Sequence, residues 1–330
     1  MCTLIVLHRC VPGKPLVVAA NRDEFFARPA EPPAVRASRT GRIVAPRDLE
    51  AGGTWVGLSE RGVFAGLTNL RPIAHGFGDP SPVGLSPVGR PDGRPDGKLG
   101  ESSGARAATP ARSRGEVVMA ALEARTAAEA ADSLSRLEDG LYNPFQLLIS
   151  DVHSAYLLVY QDAPKTFPLE PGLHVVGNII GRVGGVVEDE PAESADAAPL
   201  AASCAIEQDA KPFQGFEGIE GLIDTEEPRV QKLARIQSRV EKLLTEPGRD
   251  LFEGLARICR EHVEPGESKS PFESTCVHVA DRYGTRSSLL LELAEDIPTS
   301  RLWTTDGPPC RRPFENRSSL LRELGVTVHV

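Results

Sequence analysis

The sequence predicts an α+β protein assembled from hairpins, with helices set between and after them. Three observations lead there. The chain opens on an apolar, β-branched run that turns back on itself at Val11-Pro12-Gly13. Two further strand pairs follow, one around Ser59-Glu60-Arg61-Gly62 and one around Asp151 to His153. Apolar residues three to four apart, such as Val230, Leu233, Ile236, Val240, Leu243 and Leu244, then read as a helix packed by one face.

The chain's 330 residues suffice for one large or two ordinary domains with a substantial core. Hydrophobic residues make up 40% and charged residues 25%, the balance of a soluble globular protein. A net charge of -9 without any basic block argues against nucleic acid or an anionic membrane as partner. No apolar run approaches the ~18 residues of a membrane span. The N-terminal run has no basic residues before it and is broken by His8-Arg9, unlike a secretory signal. The six cysteines, Cys2, Cys10, Cys204, Cys259, Cys276 and Cys310, show no framework spacing. They read as reduced thiols in the cytoplasm.

Residues 2–9 form the first strand and Pro15 to Ala20 the one that returns. If Arg9 pairs with Pro15, Cys2 lies opposite Arg22 and next to Asp23. A slip of one residue changes the face but leaves Asn21 to Glu24 beside the N-terminus. Cys2 follows the initiator methionine directly, and cysteine is small enough for Met1 to be clipped. The exposed residue then carries a thiol and a free α-amine, attacker and base together. An amine with an ordinary pKa of ~7.7–8.0 suits the second role. Asp23 is placed to hold that amine, and Arg22 to favour the thiolate. The plainer reading makes Asp23 a cap and leaves Arg22 and Glu24 solvated.

A proline-rich connector (Pro29, Pro32, Pro33) leads to a strand at Ile43-Val44-Ala45. Arg47 to Leu58 is a glycine-punctuated approach to another strand. Its Gly52-Gly53 pair permits torsions or close contacts that a side chain forbids, and no phosphate-loop lysine follows it. Trp55 either lines a pocket or packs in the core. Val63 to Asn69 completes the second hairpin, and Asn69 is an oxyanion donor or a turn cap. Residues 79–112, with tandem Ser-Pro-Val-Gly and Arg-Pro-Asp-Gly repeats, read as a disordered insertion, and the acidic, alanine-rich 186–218 as a second. One helix is expected from Ser113 to Leu137, stopped by Gly140. Strands follow at 145–150, 155–160 and 173–177, the last ending at Asn178, which can project into the same site. Pro228 opens a helix to about Thr245, and Leu251, Phe252, Leu255 and Ile258 mark another. Cys259 and His262 have the i, i+3 spacing of a metal grip, but no complementary pair stands near them in sequence, so no metal site is expected. Residues 275–280 and 286–291 read as late strands.

Met1-Cys2-Thr3 together with Ala20-Asn21-Arg22-Asp23-Glu24-Phe25-Phe26-x-Arg28-Pro29 resembles the opening of the NRDE family, called transport and Golgi organisation protein 2 in animals. The likeness continues at Arg47 to Gly57, Gly66 to Arg71, Ser113-Arg114-Gly115, Pro171 to Asn178 and Ile223 to Val230. The resemblance implies a single domain over 1–330. It implies the four-layer αββα sandwich of N-terminal-nucleophile hydrolases, two packed, mainly antiparallel sheets flanked by helices, and most resembles the penicillin V acylase and bile salt hydrolase branch. In that branch's terms Cys2 is the nucleophile, Asp23 orients its amine, and Asn69 and Asn178 hold the oxyanion. Arg22, Asn21 and Trp55 fall on the substrate side. The branch's arginine ahead of the aspartate is replaced by Ala20, Asn69 matches with a one-residue offset, and its late active-site arginine has no clear counterpart.

The expected activity is therefore hydrolysis of a C–N bond in a small acylated molecule, without a cofactor. The alternative is a non-catalytic carrier of haem or an acyl lipid, drawn from the same family resemblance. No Cys-Pro pair and no Cys-x-x-Cys-His demands haem. An inert structural relative leaves the motif-rich N-terminus unexplained. The partner expected is a small molecule, and the oligomeric state is left open.

Overall fold

The computed structural model describes residues 2–70, 112–179, 182–183, 227–248, 250–264, 266 and 270–325. The two expected insertions lie outside the described residues, apart from Arg112, which bridges to Tyr142.

Six strands come first: β1 (Cys2–Val11), β2 (Lys14–Phe25), β3 (Ala30–Ser38), β4 (Gly41–Asp48), β5 (Val56–Ser59) and β6 (Phe64–Asn69). Helices α1 (Gly115–Leu122) and α2 (Ala127–Leu134) precede β7 (Phe145–Ser150), β8 (Ala155–Tyr160), β9 (Pro164–Pro168), β10 (Gly172–Val176) and β11 (Arg182–Val183). The last part contains α3 (Pro228–Thr245), α4 (Leu251–Arg260), β12 (His278–Val279), β13 (Tyr283–Leu293), β14 (Arg301–Asp306), β15 (Glu315–Asn316) and α5 (Ser319–Gly325). One sheet runs β11-β10-β1-β2-β13-β14-β15, with β12 paired to β13, and the other is a meander from β3 to β9. Every described pairing between strands is antiparallel.

The pleat sorts the side chains into layers, because successive residues point to opposite faces. Leu4, Val6, Leu16, Val18 and Ala20 of the first sheet meet Val44, Val56, Leu58, Phe64, Leu148 and Leu157 of the second. The alternate residues Ile5, Leu7, Val17 and Ala19 turn outward onto Leu233, Ile236 and Val240 of α3 and Phe252 and Leu255 of α4. Outside the second sheet, Ala65, Leu147 and Ile149 pack on Val118, Leu122, Ala127 and Leu134. The order is thus α3/α4, first sheet, second sheet, α1/α2: a four-layer αββα sandwich. Each buried Leu, Ile, Val or Phe contributes about 1.5–3 kcal/mol, so three apolar interfaces hold the four layers.

Local chemistry corrects three expectations. The single helix over Ser113 to Leu137 is two, because Thr126 adopts an extended conformation and accepts a hydrogen bond from the Glu129 amide (3.1 Å), starting α2 afresh. The proline-rich connector is a strand, β3, at the sheet edge, where an imide without N–H is tolerated; its register shifts between Glu31 and Ala34, across the two prolines. Pro164–Pro168, unassigned from sequence, is the opposite edge strand β9 for the same reason. In α3, Pro228 sits in the first turn and the Glu227 side chain accepts from the Arg229 amide, as the helix start required.

Candidate active site

The β1–β2 register places Cys2 opposite Arg22 and Leu4 opposite Ala20. Directly opposed residues share a face, so the Cys2 side chain lies with Leu4, Ala20 and Arg22 between the two sheets. Cys2 is buried there. These residues, with Trp55, Val56, Leu67 and Leu289, line a cleft of about 730 Å³ including its open mouth. Pro32, Pro33 and Pro46 form part of its wall, and Glu31, Arg286, Asp306 and Arg317 bring charge to it. Arg286 also holds its place at the cleft by its Nε, which donates to the Arg28 carbonyl at 2.9 Å.

Arg22 is held on two sides. Its guanidinium stacks over the Trp55 ring, 3.9 Å from the centroid. Its Nη2 donates to Asp48 Oδ2 at 3.1 Å. The same carboxylate oxygen takes Arg28 Nε at 2.8 Å, while Oδ1 takes the Glu50 and Ala51 amides. Burial raises the Asp48 pKa, yet these donors outweigh it and hold the carboxyl below its usual range. The remaining Arg22 nitrogen, Nη1, is buried and has no hydrogen-bond partner among the described residues. A cleft with one oriented, unsatisfied cationic donor is suited to an oxygen of a bound small molecule.

Asp23 and Asn21 occupy the other face of β2. The Asp23 carboxylate accepts from Thr285 Oγ1 at 2.6 Å and pairs with Lys232 Nζ of α3 at 3.3 Å. Asn21 Nδ2 donates to the carbonyls of Cys259 (3.0 Å) and Thr275 (2.9 Å), and its Oδ1 accepts from Ser288 Oγ at 2.7 Å. The Asn21 amide is therefore a brace between β2 and the helical layer, with both donors and its acceptor in use. Asn21 is among the residues lining the cleft, while the polar atoms of its side chain are taken up by this brace.

Asn178 follows the end of β10, whose last paired residue, Val176, stands opposite Leu4 of β1. The Asn178 amide donates to the Asn69 carbonyl at 2.5 Å, joining the ends of two strands from different sheets. The segment is fixed from below by Gln146 Nε2, which donates to the Gly177 and Ile179 carbonyls, and by Thr68 Oγ1 on Gly177. Cys2, Arg22 and Trp55 thus line the cleft, Asn69 and Asn178 are bonded to each other without being among its lining residues, and Asp23 stands behind the sheet.

Burial pushes the Cys2 thiol above its ordinary pKa, outweighing the downward pull of the terminal ammonium and of Arg22. Arg22 acts in the expected direction, but burial outweighs it. Sequence reading passed over Arg114. It is half-buried at the start of α1, donates to the Pro144 carbonyl at 3.3 Å, and lies near enough to Cys2 and Glu24 for their charges to reach it. Gly53 and Gly115 explain two glycines of the quoted motifs: a Cβ on Gly53 would stand 3.0 Å from the Gly115 Cα, and one on Gly115 3.1 Å from the Gly53 Cα. This backbone contact seats the loop before Trp55 on α1.

A family model described as Transport and Golgi organisation 2 matches residues 1–297. The Transport and Golgi organization protein 2 homolog of Bos taurus is 29% identical over 295 residues, 85% of this chain and 83% of that protein. The Mus musculus homolog is 30% identical over 178 residues, 50% of this chain, and the match spans 51% of that protein's length. Among solved structures, a mutant conjugated bile acid hydrolase from Clostridium perfringens aligns with a TM-score of 0.48 at 10% identity, over 99% of this chain and 95% of that one. A Caenorhabditis elegans N-acylethanolamine-hydrolyzing acid amidase ortholog aligns with a TM-score of 0.35 at 14% identity, over 54% and 70%.

Proposed function

The chain belongs to the Transport and Golgi organisation 2 family, and from that premise we propose that it is an N-terminal-nucleophile hydrolase that cleaves a C–N bond in a small acylated molecule. One observation supports this above the others: a buried thiol, Cys2, shares a cleft with the unpartnered Nη1 of Arg22. A purely structural cysteine does not require a buried cation beside it with an idle donor.

In this proposal Met1 is removed and the α-amine of Cys2 becomes the base. Sγ attacks the amide carbon as the amine takes the thiol proton, and the carbonyl electron pair moves to oxygen. Asn69 and Asn178 hold that oxygen; one such donor is worth about 3–4 kcal/mol. Collapse breaks the C–N bond, the leaving amine takes the proton, and a thioester remains on Cys2. Water, giving a proton to the same α-amine, adds to the thioester and releases the carboxylic acid and the free thiol. Asp23 orients the amine from behind the sheet, and Arg22, braced by Trp55, binds an oxygen of the substrate. No cofactor enters any step.

The test is a panel of acyl amides of varied chain length, followed by amine release. Release is expected from the parent protein and lost in Cys2→Ala. The carrier reading predicts the reverse: haem or acyl lipid bound equally by parent and Cys2→Ala, with no amide in the panel turned over.

A further inference from the structure

Four side chains outside the cleft converge behind it. His262 follows α4, Cys276 precedes β12 and His278 opens it, and Cys310 lies in the loop between β14 and β15. Their donor atoms all lie within 4.8 Å of one another. His278 Nε2 is 3.6 Å from Cys276 Sγ and 3.2 Å from Cys310 Sγ. A tetrahedral zinc ion with Zn–S of ~2.3 Å and Zn–N of ~2.0–2.1 Å separates sulfur from nitrogen by about 3.5 Å. These two distances thus bracket the ideal, and the remaining adjustment falls to His262, which is exposed.

The backbone brings the segments together without help from the donors. The Cys276 amide donates to the Glu261 carbonyl at 2.9 Å, joining it to the neighbour of His262. Arg260 Nε donates to the Pro309 carbonyl at 3.2 Å, fixing the residue before Cys310 to the end of α4. The Val277 amide, between Cys276 and His278, is held by Thr285 Oγ1 at 2.9 Å. A donor set held in place by its own surroundings is the condition for a metal site.

We propose that His262, Cys276, His278 and Cys310 bind one borderline divalent ion, zinc above all, as a closed structural site. Two thiolates and two imidazoles favour zinc over magnesium or calcium, which take oxygen ligands. With all four positions taken by the protein, the ion has no place for substrate. Binding replaces the two thiol protons, which leave to solvent, and oxidises nothing. The Cys259–His262 pair suggested by spacing is not the site: Cys259 is buried next to Ser288, and burial raises its thiol to about 12. The ion would stiffen the wall behind the cleft. The Thr275 carbonyl accepts from Asn21, and Thr285, which holds the Val277 amide, also donates to Asp23.

The experiment is Co2+ titration of the whole, reduced protein stripped of metal, followed by competition with Zn2+. A visible d–d band of tetrahedral cobalt and a near-ultraviolet thiolate charge-transfer band, saturating at one ion per chain and erased by Zn2+, are expected. Cys310→Ser and His262→Asn, at positions that are not fully buried, keep the fold by circular dichroism. Each weakens binding by more than the ~10–100-fold typical of losing an outer-shell partner. Cys2→Ala binds as the parent does, which separates this result from the proposed hydrolysis. Cobalt bands without thiolate character, binding unchanged in both ligand variants, or a Cys276–Cys310 disulfide in protein isolated without oxidant would each overturn the assignment.

Discussion

His8 makes the folded protein sensitive to acid. It lies in β1, opposite Leu16 of β2 and Gly172 of β10, almost wholly buried. Burial, with the Arg9 charge adding to it, lowers its pKa from 6.5 to about 4 against the weaker opposing pull of the Glu170 carbonyl and Asp151. The unfolded chain therefore binds a proton at a pH where the folded chain does not. The stability tied to neutral His8 is complete above about 6.5 and falls as the pH drops through that window to about 4. At ~1.4 kcal/mol per pH unit the full difference amounts to about 3.5 kcal/mol, of which about 2–3 kcal/mol falls between pH 4 and pH 7, a large part of a typical domain's stability. His8→Leu removes this titration. Urea unfolding of parent and variant between pH 4 and pH 7 is the assay: the gap between the two stabilities should change by about 2–3 kcal/mol across the range. Other titratable groups are common to both proteins and cancel. A gap that stays constant with pH would refute the reasoning.

Three further outcomes follow. Lys232→Met removes the buried cation beside Asp23 and should cost about 3–5 kcal/mol by thermal unfolding, while Asp23→Asn in the same chain should restore much of it. Gly53→Ala puts a methyl 3.0 Å from the Gly115 backbone. It should destabilise by about 1–3 kcal/mol, and Gly115→Ala added to it should cost less than the sum because both strain one contact. Arg22→Lys keeps the charge but loses the flat stack on Trp55 and the fork toward Asp48. On any amide that the parent hydrolyses, it should raise KM about tenfold or more while leaving kcat closer to the parent value.

The first hairpin was legible because register outlasts its turn. Cys2 pairs with Arg22 and His8 with Leu16 as the simple pairing requires, although the turn itself closes differently, with Val11 opposite Lys14 and Arg9 at a φ of 50°. A bulge absorbs the mismatch, so an error at the turn left the far end untouched. The pleat also carried information that sequence reasoning set aside. Arg22 and Asp23 are consecutive in a strand, so they cannot both face Cys2; Arg22 enters the cleft and Asp23 turns to Lys232. The break between α1 and α2 was written in Thr126-Ala127-Ala128-Glu129, a helix-start pattern hidden within an alanine-rich run. Pro32 and Pro33 read as a breaker only because edge position is not visible in one dimension. Nothing local joins His262 to Cys276, His278 and Cys310, since tertiary folding alone brings the segments together. The descent of Gly53 onto Gly115 was half visible: the glycine announced a close approach, but not its partner.

No described helix is long and apolar enough to cross a membrane, a statement that leaves β-barrels aside. The central claim concerns Cys2, and intact-mass spectrometry after exposure to an acylating probe tests it most directly. The account predicts a single acyl adduct on protein lacking Met1. It also predicts that this adduct maps to Cys2, is absent from Cys2→Ala, and forms far more slowly on protein that retains Met1, whose Cys2 has no free amine. Equal labelling with and without Met1, or an adduct that survives Cys2→Ala, would contradict it.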